Sequence, residues 1–276
     1  MLSDHPKGFE MSQDIEIIRR TRPLVHHITN WVTIYDCAQI TRSIGALPVM
    51  AHAKEEVEEM VSLASGLVLN IGTLTPELID SMVLAAKRAN ERDIPVTLDA
   101  VGVGATGLRT ESCRRILRDV NVSVLKGNAG EIASLADVPA EVRGVESISV
   151  DGNVSTIAEN LAKHSGSVVV VTGPTDIVTD GSRTLFINNG HPLMGQVVGT
   201  GCMATSMLGS FASVSRDHLM SCGRALAAFG IAGEKGAALS KGPMEFKARL
   251  LDEVASLSKQ DDMMIKVEIK EPGGAQ

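Results

Sequence analysis

Short runs of β-branched residues alternate along this chain with longer segments whose apolar residues recur at the helical period. The short runs predict strands at residues 47–51, 67–71, 96–99, 123–125, 168–172, 177–179 and 184–187. Helices are predicted between the earlier strands, at residues 54–64, 76–91, 110–120, 129–136 and 155–165. Parallel strands need such crossover helices, because a tight turn cannot join them. The chain therefore predicts an α/β fold, a three-layer α/β/α sandwich around a mostly parallel sheet.

The second half of the chain changes pattern. Four consecutive valines at 168–171 are apolar on both faces, as in a central parallel strand, and the Asp180-Gly181 turn then predicts an antiparallel hairpin between 175–179 and 184–187. Helices follow at 203–214, 218–236 and 245–256, with an edge strand at 264–269, while segment 139–153 is predicted to be a surface loop. Since no linker or repeat interrupts the pattern, we expect one domain over residues 1–276.

Charge and cysteine usage limit the partners. The formal net charge is −7 and no basic run occurs, so neither nucleic acid nor an anionic membrane is an expected partner. No apolar run approaches the ~18 residues of a membrane span, and the polar first ten residues predict no signal peptide. The four cysteines are widely spaced, without a Cys-x-x-Cys pair. We expect reduced thiols in a cytoplasmic protein.

Segment 197–206 (Val-Val-Gly-Thr-Gly-Cys-Met-Ala-Thr-Ser) says most about function. Gly199 and Gly201 allow the backbone to approach a ligand closely, and a long apolar helix pattern begins at once. The first turn of a helix carries unsatisfied N–H groups and the positive end of the helix dipole. The segment therefore predicts a pocket for an anion, above all a phosphate in transfer, with Cys202 at its mouth.

A second glycine-rich segment, 102–107, matches the G-x-G-x-x-G spacing of dinucleotide-binding turns. That reading needs an acidic residue at the end of the next strand, and this chain has Lys126 there, which disfavours a nicotinamide or flavin enzyme. Asp99 stands just before the segment, at the predicted carboxyl end of a strand, where open parallel sheets bind ligands. It is a candidate Mg²⁺ ligand, and capping a turn is its equally weighted alternative.

Two further strand ends carry polar groups. Lys126, which we expect to follow a strand, offers a charge for phosphate, while Asn128 and Glu131 share the first turn of the next helix. Their spacing suits a metal and phosphate element, yet it suits a helix-capping box at least as well. Thr172 ends the valine strand, where it could meet a nucleotide phosphate or form a turn. The adjacent His26 and His27 lack any zinc-site spacing, so a hydrogen-bonded structural role is expected for at least one.

The order of these segments resembles the hydroxyethylthiazole kinase family of the ribokinase-like superfamily, from about residue 22 to residue 244. The resemblance is carried by residues 23–30, 48–53, 69–74, 98–106, 126–131, 172–173, 189–191 and 199–202. It implies a ribokinase-like fold and ATP-dependent phosphorylation of 4-methyl-5-(2-hydroxyethyl)thiazole, the thiazole salvage step of thiamine biosynthesis. It also implies a homotrimer with the thiazole sites at subunit interfaces.

By the same resemblance, particular residues take particular roles. Met50, Gly199 and Asn30 would contact the thiazole, and Lys126, Thr172 and Asn128 would contact ATP. Glu131 and Asp99 would organise Mg²⁺, while Cys202, with Gly199 and Gly201 beside it, would stand where relatives carry a catalytic Asp. Alternatives are a kinase for another small alcohol, such as a hydroxymethylpyrimidine, and a protein that binds thiazole or thiamine without catalysis.

The chain departs from the family pattern at two positions. Ala100 stands where the family loop commonly has Pro, and we expect this to alter the stiffness of the loop rather than its chemistry. Lys126 stands where the family often has Arg, and it lacks the two-pronged guanidinium. ATP affinity is therefore the property most exposed to these changes.

Overall fold

The computed structural model describes residues 8–138, 140–143, 146–150 and 153–271. The strands are β1 (Leu24–Ile28), β2 (Leu47–Val49), β3 (Gly66–Asn70), β4 (Val96–Asp99), β5 (Val124–Asn128), β6 (Ala140–Arg143), β7 (Glu146–Val150), β8 (Val168–Thr172), β9 (Asp176–Thr179), β10 (Thr184–Ile187) and β11 (Val267–Lys270). The helices are α1 (Met11–Thr21), α2 (Ile34–Ile44), α3 (Val57–Leu63), α4 (Pro76–Glu91), α5 (Gly107–Asp119), α6 (Ala129–Leu135), α7 (Val154–Ser165), α8 (Thr200–Ala212), α9 (His218–Ala238) and α10 (Pro243–Ser256).

Nine strands form one sheet in the order β11-β10-β9-β8-β5-β4-β3-β1-β2. The strands from β8 to β2 run parallel, and β9, β10 and β11 add antiparallel neighbours at the other side. This confirms the mostly parallel sheet and the hairpin at Asp180-Gly181. The carboxyl ends of five parallel neighbours, β8, β5, β4, β3 and β1, therefore lie side by side.

Helices cover both faces of the sheet, as predicted. One apolar cluster packs α1, α2, α8, α9 and α10 on one face, and the other packs α3, α4, α5, α6 and α7 on the opposite face. Neighbouring strand residues divide between the clusters: in β3, Val68 joins the first, while Leu67 and Leu69 join the second. Such strands, buried on both sides, are typical of α/β proteins. No helix in the described ranges combines the length and the apolar character that crossing a bilayer requires.

Two sequence predictions need correction. Segment 139–153 was expected to be a surface loop, but its described residues include β6 and β7, which pair antiparallel. The alternation of Ser and apolar residues at 147–150 is the period-two signal for this strand. Lys126 was expected to follow its strand, but β5 runs on to Asn128 because its backbone keeps pairing with β8 as far as Thr172.

Candidate active site

Polar residues gather at the carboxyl edge of the sheet, where β1, β3, β4, β5 and β8 end. The register places Asn70, the last residue of β3, beside Asp99, the last residue of β4, and Asp99 beside Lys126. Asn128 is level with Thr172 across β5 and β8. Residues far apart in sequence are thus neighbours because parallel strands end together. This edge is where open α/β sheets bind ligands.

Asp99 and Lys126 form a buried ion pair at the centre of this edge. Lys126 Nζ donates to Asp99 Oδ1 at 3.0 Å, and Asp99 Oδ2 accepts from Thr205 Oγ1 at 2.6 Å and from Asn70 Nδ2 at 3.0 Å. Burial opposes the charge on Lys126, but the carboxylates of Asp99 and Glu131 outweigh it and raise the lysine pKa. Lys126 therefore carries a permanent positive charge at the site.

Helix α8 points its N-terminus at this pair. Gly199 is the N-cap, with φ +99°, and a Cβ there would lie 2.8 Å from Thr33 Cγ2, so both backbone and space favour glycine. A Cβ on Gly201 would lie 3.3 Å from Lys126 Nζ, which places the lysine charge beside the first turn. The free N–H groups of that turn and the ammonium together suit an anion.

Cys202 occupies the third position of α8, half-buried among amides. Its Sγ accepts hydrogen bonds from Asn30 Nδ2 and Asn70 Nδ2, each at 3.3 Å. Asn30 Nδ2 also donates to Asn70 Oδ1 at 2.9 Å. Cys37, one helix away on α2, is buried, and burial raises the pKa of its thiol to about 11. Of these two thiols, Cys202 is the one that the site exposes to a substrate.

Glu131 lies in the first turn of α6, directly after β5. It forms the capping box of α6 with Asn128: Glu131 Oε2 accepts from Asn128 N at 2.7 Å, and Asn128 Oδ1 accepts from Glu131 N at 2.9 Å. Its other oxygen, Oε1, accepts from Gly102 N at 2.7 Å. Burial raises the pKa of this carboxyl to about 7, against the attraction of Lys126.

The glycine-rich turn after β4 is filled by the protein itself. The Gly102 N–H donates to Glu131. A Cβ on Gly102 would lie only 2.9 Å from Cδ of Arg109, so the Arg109 side chain fills the space beside this glycine. The Arg109 guanidinium donates to the carbonyl oxygens of Ile71, Gly72 and Val101, which joins the loops that follow β3 and β4. The Gly102 N–H is therefore already used within the protein, in agreement with the sequence argument against a dinucleotide-binding turn.

The comparisons with known proteins agree with this geometry. The profile described as "HK: Hydroxyethylthiazole kinase family" matches residues 15–260. A curated hydroxyethylthiazole kinase from Methanosarcina mazei is 56% identical over 259 residues, covering 94% of this chain and 99% of that protein. The chain belongs to the hydroxyethylthiazole kinase family.

Solved structures extend the comparison from this family to its wider fold. A hydroxyethylthiazole kinase protein from Pyrococcus horikoshii OT3 superposes with a TM-score of 0.86 at 39% identity, over 95% of this chain and 99% of that one. The pyridoxal kinase from Staphylococcus aureus in complex with pyridoxal superposes with a TM-score of 0.60 at 15% identity, over 90% of this chain and 98% of that one. The second likeness shows the ribokinase-like fold alone.

The structure brings most residues predicted for the site together. Asp99, Lys126, Asn30 and Cys202 share one hydrogen-bonded network with Asn70. Thr172 lies at the same edge, with its hydroxyl 3.5 Å from the Gly127 carbonyl oxygen. His26 and His27 are buried and hydrogen-bonded, to the carbonyl oxygens of Ala51 and Val25 respectively, as the structural role predicts.

Met50 lies farther along the edge, directly after β2. His26 Nε2 holds the next residue of its loop, through the Ala51 carbonyl oxygen at 2.6 Å. The following side chain, His52, packs edge-on against Trp31, with ring centroids 4.6 Å apart. The loop that carries Met50 is thereby fixed at two points beside the strand end of β1.

Three polar residues of the site were missed by sequence reasoning. Asn70 and Thr205 contact Asp99 directly, and Asp176, at the start of β9, accepts from Gly173 N at 2.9 Å. Burial raises the pKa of the Asp176 carboxyl to about 7. Asn70 could have been found, since it ends the strand next to that of Asp99. Thr205 lies one helical turn after Gly201, within the segment already singled out.

The charges at this edge fit a magnesium ion. Asp99 and Glu131 are both buried, and one ammonium, that of Lys126, faces them. Burial raises the pKa of Glu131 and the charge on Asp99 raises it further, against the attraction of Lys126. Within the described ranges no group of three His, Cys, Asp or Glu side chains could hold a metal by itself. Two carboxylates at one strand edge are a ligand set that suits Mg²⁺, which keeps several waters and takes one or two carboxylates together with substrate phosphates.

Proposed function

We propose that this protein transfers the terminal phosphoryl group of ATP to the hydroxyl group of 4-methyl-5-(2-hydroxyethyl)thiazole. The observation that carries the proposal is the meeting of three groups: the N-terminus of α8, the Lys126 ammonium and the Cys202 thiol. A phosphoryl group in transfer is anionic and needs donors on one side and a proton acceptor at the attacking oxygen. The curated relatives carry the thiazole in their name, and identity of 56% over nearly the whole chain supports the same substrate here.

In this mechanism the first turn of α8 and Lys126 stabilise the transferred phosphoryl group. Gly201 leaves no side chain between this turn and Lys126, and Gly199 takes the positive φ with which α8 begins, so the backbone N–H groups reach the phosphoryl oxygens. The substrate hydroxyl lies beside Cys202 Sγ, which takes its proton. A loose transition state asks little of a base, so Cys202 contributes position more than basicity.

The nucleotide lies across the ends of β5 and β8. Lys126, Thr172 and Asn128 face it from neighbouring strands, and Asp176 adds a half-buried carboxylate at the same end. Asp99 and Glu131 would hold Mg²⁺, which neutralises charge on the phosphates and orients them. The thiazole lies toward Met50, Gly199 and Asn30, where the unbranched Met50 thioether suits a flat ring.

We further propose that the protein is a homotrimer whose thiazole sites lie at subunit interfaces. Trp31, Val32, Tyr35 and Val198 are all at least half exposed in the single chain, and they flank Asn30 and Gly199 in sequence. An apolar patch of this kind beside a site favours a protein partner. Light scattering should give about three times the 29.2 kDa of one chain. A monomer that is fully active would refute the shared site.

The reaction is tested by mass spectrometry. Purified protein is incubated with ATP, Mg²⁺ and hydroxyethylthiazole, beside controls that lack thiazole or metal. A thiazole product heavier by one phosphoryl group, formed only with metal, is the expected result. If thiazole binds in a parallel titration and no product forms, the protein is a thiazole-binding protein. If neither occurs but hydroxymethylpyrimidine is phosphorylated, the substrate is the other alcohol.

A further inference from the structure

Asn70 uses its whole hydrogen-bonding capacity within the site. Its Nδ2 donates to Asp99 Oδ2 at 3.0 Å and to Cys202 Sγ at 3.3 Å. Its Oδ1 accepts from Asn30 Nδ2 and from Gly72 N, both at 2.9 Å. A primary amide has two donor hydrogens and two acceptor lone pairs, so none is left over. Asn70 is also nearly inaccessible to solvent.

The orientation of this amide is set by backbone donors. The Gly72 N–H is a donor, and of the two ends of the Asn70 amide only the oxygen can accept from it. Asn70 Oδ1 must therefore be the atom that faces Gly72. Asn30 is fixed likewise, because its Oδ1 accepts from the N–H groups of Val32 and Thr33, each at 3.1 Å. Both amides therefore turn an N–H toward Cys202. The sulfur faces two donors and stands as their acceptor.

Asn70 also connects two parts of the site that come from different elements of the chain, β4 and α8. Asp99 ends β4, on the side proposed for the metal, whereas Cys202 belongs to α8, on the side proposed for the substrate hydroxyl. Asn70 Nδ2 contacts both, and Asn30 contacts the sulfur without touching Asp99. A displacement of about 1 Å between reacting groups can cost on the order of 100-fold in rate.

We propose that Asn70 is a positioning residue for phosphoryl transfer, which holds the Asp99 carboxylate and the Cys202 thiol at a fixed separation. The Gly72 N–H and Asn30 fix the orientation of the Asn70 amide. This inference rests on the proposed function. Asn70 is not proposed to contact the substrate; it acts through Cys202 on one side and Asp99 on the other. An aspartate at this position would keep the shape but have at most one hydrogen to donate. The adjacent Asp99 carboxylate would take it, and Cys202 Sγ would lose its donor.

A double-mutant cycle tests the part that acts through Cys202. We expect Asn70→Ala to lower kcat by roughly 30-fold while the KM for ATP changes less than about threefold, since geometry rather than binding is lost. In a Cys202→Ala background the same substitution should cost clearly less, because contacting residues that act together are not additive. An equal loss in both backgrounds would overturn the role through Cys202.

A second readout does not depend on turnover. Iodoacetamide alkylates thiolates, and mass spectrometry of the peptide that contains Cys202 gives the rate at one pH. We expect Asn70→Asp to slow this alkylation at least about fivefold, because the sulfur loses an N–H donor that stabilises its thiolate form and faces an oxygen instead. An unchanged rate in a folded variant would contradict the proposed contact.

Asn90 is the matched control. It also exchanges two hydrogen bonds, with the backbone of Asn121 at 2.9 and 2.8 Å, but it lies at the opposite edge of the sheet. Asn90→Ala and Asn90→Asp should leave kcat and Cys202 alkylation unchanged. If the wild-type protein does not phosphorylate the thiazole but alkylation still responds to Asn70→Asp, the contact stands and the proposed reaction fails. If thiazole is phosphorylated and neither readout responds, the inference on Asn70 fails by itself.

Discussion

The two edges of the parallel sheet differ in where they keep their polar groups. At the carboxyl edge, the buried Asp99 is hydrogen-bonded to Lys126 and Asn70, and the buried Glu131 accepts hydrogen bonds from backbone N–H groups. At the amino edge, two grooves of about 520 and 670 Å³ share the lining residues Asn121, Ser123, Arg216 and His218. The edge that carries these two grooves is thus not the one proposed for the chemistry.

The two edges also differ in how far their charged side chains are buried and paired. Burying an ion costs free energy unless it is paired and hydrogen-bonded, so a buried network persists where its geometry is needed. Arg216 at the amino edge is exposed and makes no ion pair within the part of the chain that the structure describes. The edge proposed to be functional is thus the one that buries its charges, and the single chain shows only its own share of a site proposed to lie between subunits.

The largest difference between the two edges should appear when one cation is removed from each. Lys126→Met leaves Asp99 and Glu131 buried without their counter-ion, which should lower the free energy of unfolding by about 3–5 kcal/mol and abolish measurable phosphorylation. Arg216→Met removes an exposed charge and should change stability by less than about 0.5 kcal/mol. Urea denaturation of both variants gives the two values. Similar losses would show that the edges do not differ as described.

A histidine near each edge gives the next comparison. Burial lowers the pKa of His27 in β1 to about 4, and burial also lowers the pKa of His218 at the amino edge, where Asp217 partly offsets it. The unfolded chain then binds a proton more readily than the folded one, so stability is lost as pH falls from about 6.5 toward 4. For His27 this loss is about 2–3 kcal/mol between pH 7 and pH 4.5.

Replacement of each histidine by Gln separates the two contributions. Between pH 7 and pH 4.5, the free energy of unfolding of His27→Gln should fall by about 2–3 kcal/mol less than that of the wild type. For His218→Gln the corresponding difference from the wild type should be smaller. Urea unfolding at pH 7 and pH 4.5 measures both. If His218→Gln flattens the pH dependence more than His27→Gln does, the histidine at the carboxyl edge is not the more strongly desolvated of the two.

Much of this comparison could be predicted from the sequence. The strand pattern placed Asp99 and Thr172 at strand ends, and parallel strands bring such ends together without further information. Strand β1 was not predicted, because its two histidines interrupt an otherwise apolar run and nothing local shows that they are buried. Strand β5 was cut short at Leu125, since Lys126 and Gly127 are poor strand residues whose pairing with β4 and β8 is a tertiary contact.

The residues that were missed share a chemical reason. Asn70 and Thr205 neither titrate in the usual range nor bind metals strongly, so a search for acids, bases and nucleophiles passes over them. Their importance comes from contacts with Asp99, 29 and 106 residues away in sequence. The capping box of Asn128 and Glu131, in contrast, is a local pattern, and the structure confirms it. Whether Glu131 also serves Mg²⁺ needs an experiment.

Glu131→Gln addresses that question, with Glu91→Gln as its control. Each carboxylate oxygen of Glu131 accepts one backbone N–H, and the substitution replaces one of these oxygens by an NH₂ donor. This should lower the free energy of unfolding by about 2 kcal/mol. Turnover should fall, and more Mg²⁺ should be needed for half-maximal activity. Glu91 forms an exposed ion pair with Arg88 at the end of α4, so its loss should cost less than about 1 kcal/mol. A lower melting temperature with unchanged Mg²⁺ dependence would leave Glu131 as a capping residue only.

The smallest effect should come from the thiol, although it lies nearest the proposed reaction. Cys202→Ala should lower kcat roughly tenfold and leave measurable activity, because phosphoryl transfer depends on positioning and charge more than on a base. Cys202→Asp should equal or exceed the wild type, since a carboxylate accepts the N–H groups of Asn30 and Asn70 at least as well as sulfur does. Cys222→Ala, at a buried cysteine of α9, is the control and should leave kcat unchanged. Complete inactivation of a folded Cys202→Ala protein would mean that the thiol is an obligatory base, and that the buried charges of this edge are not sufficient for the reaction.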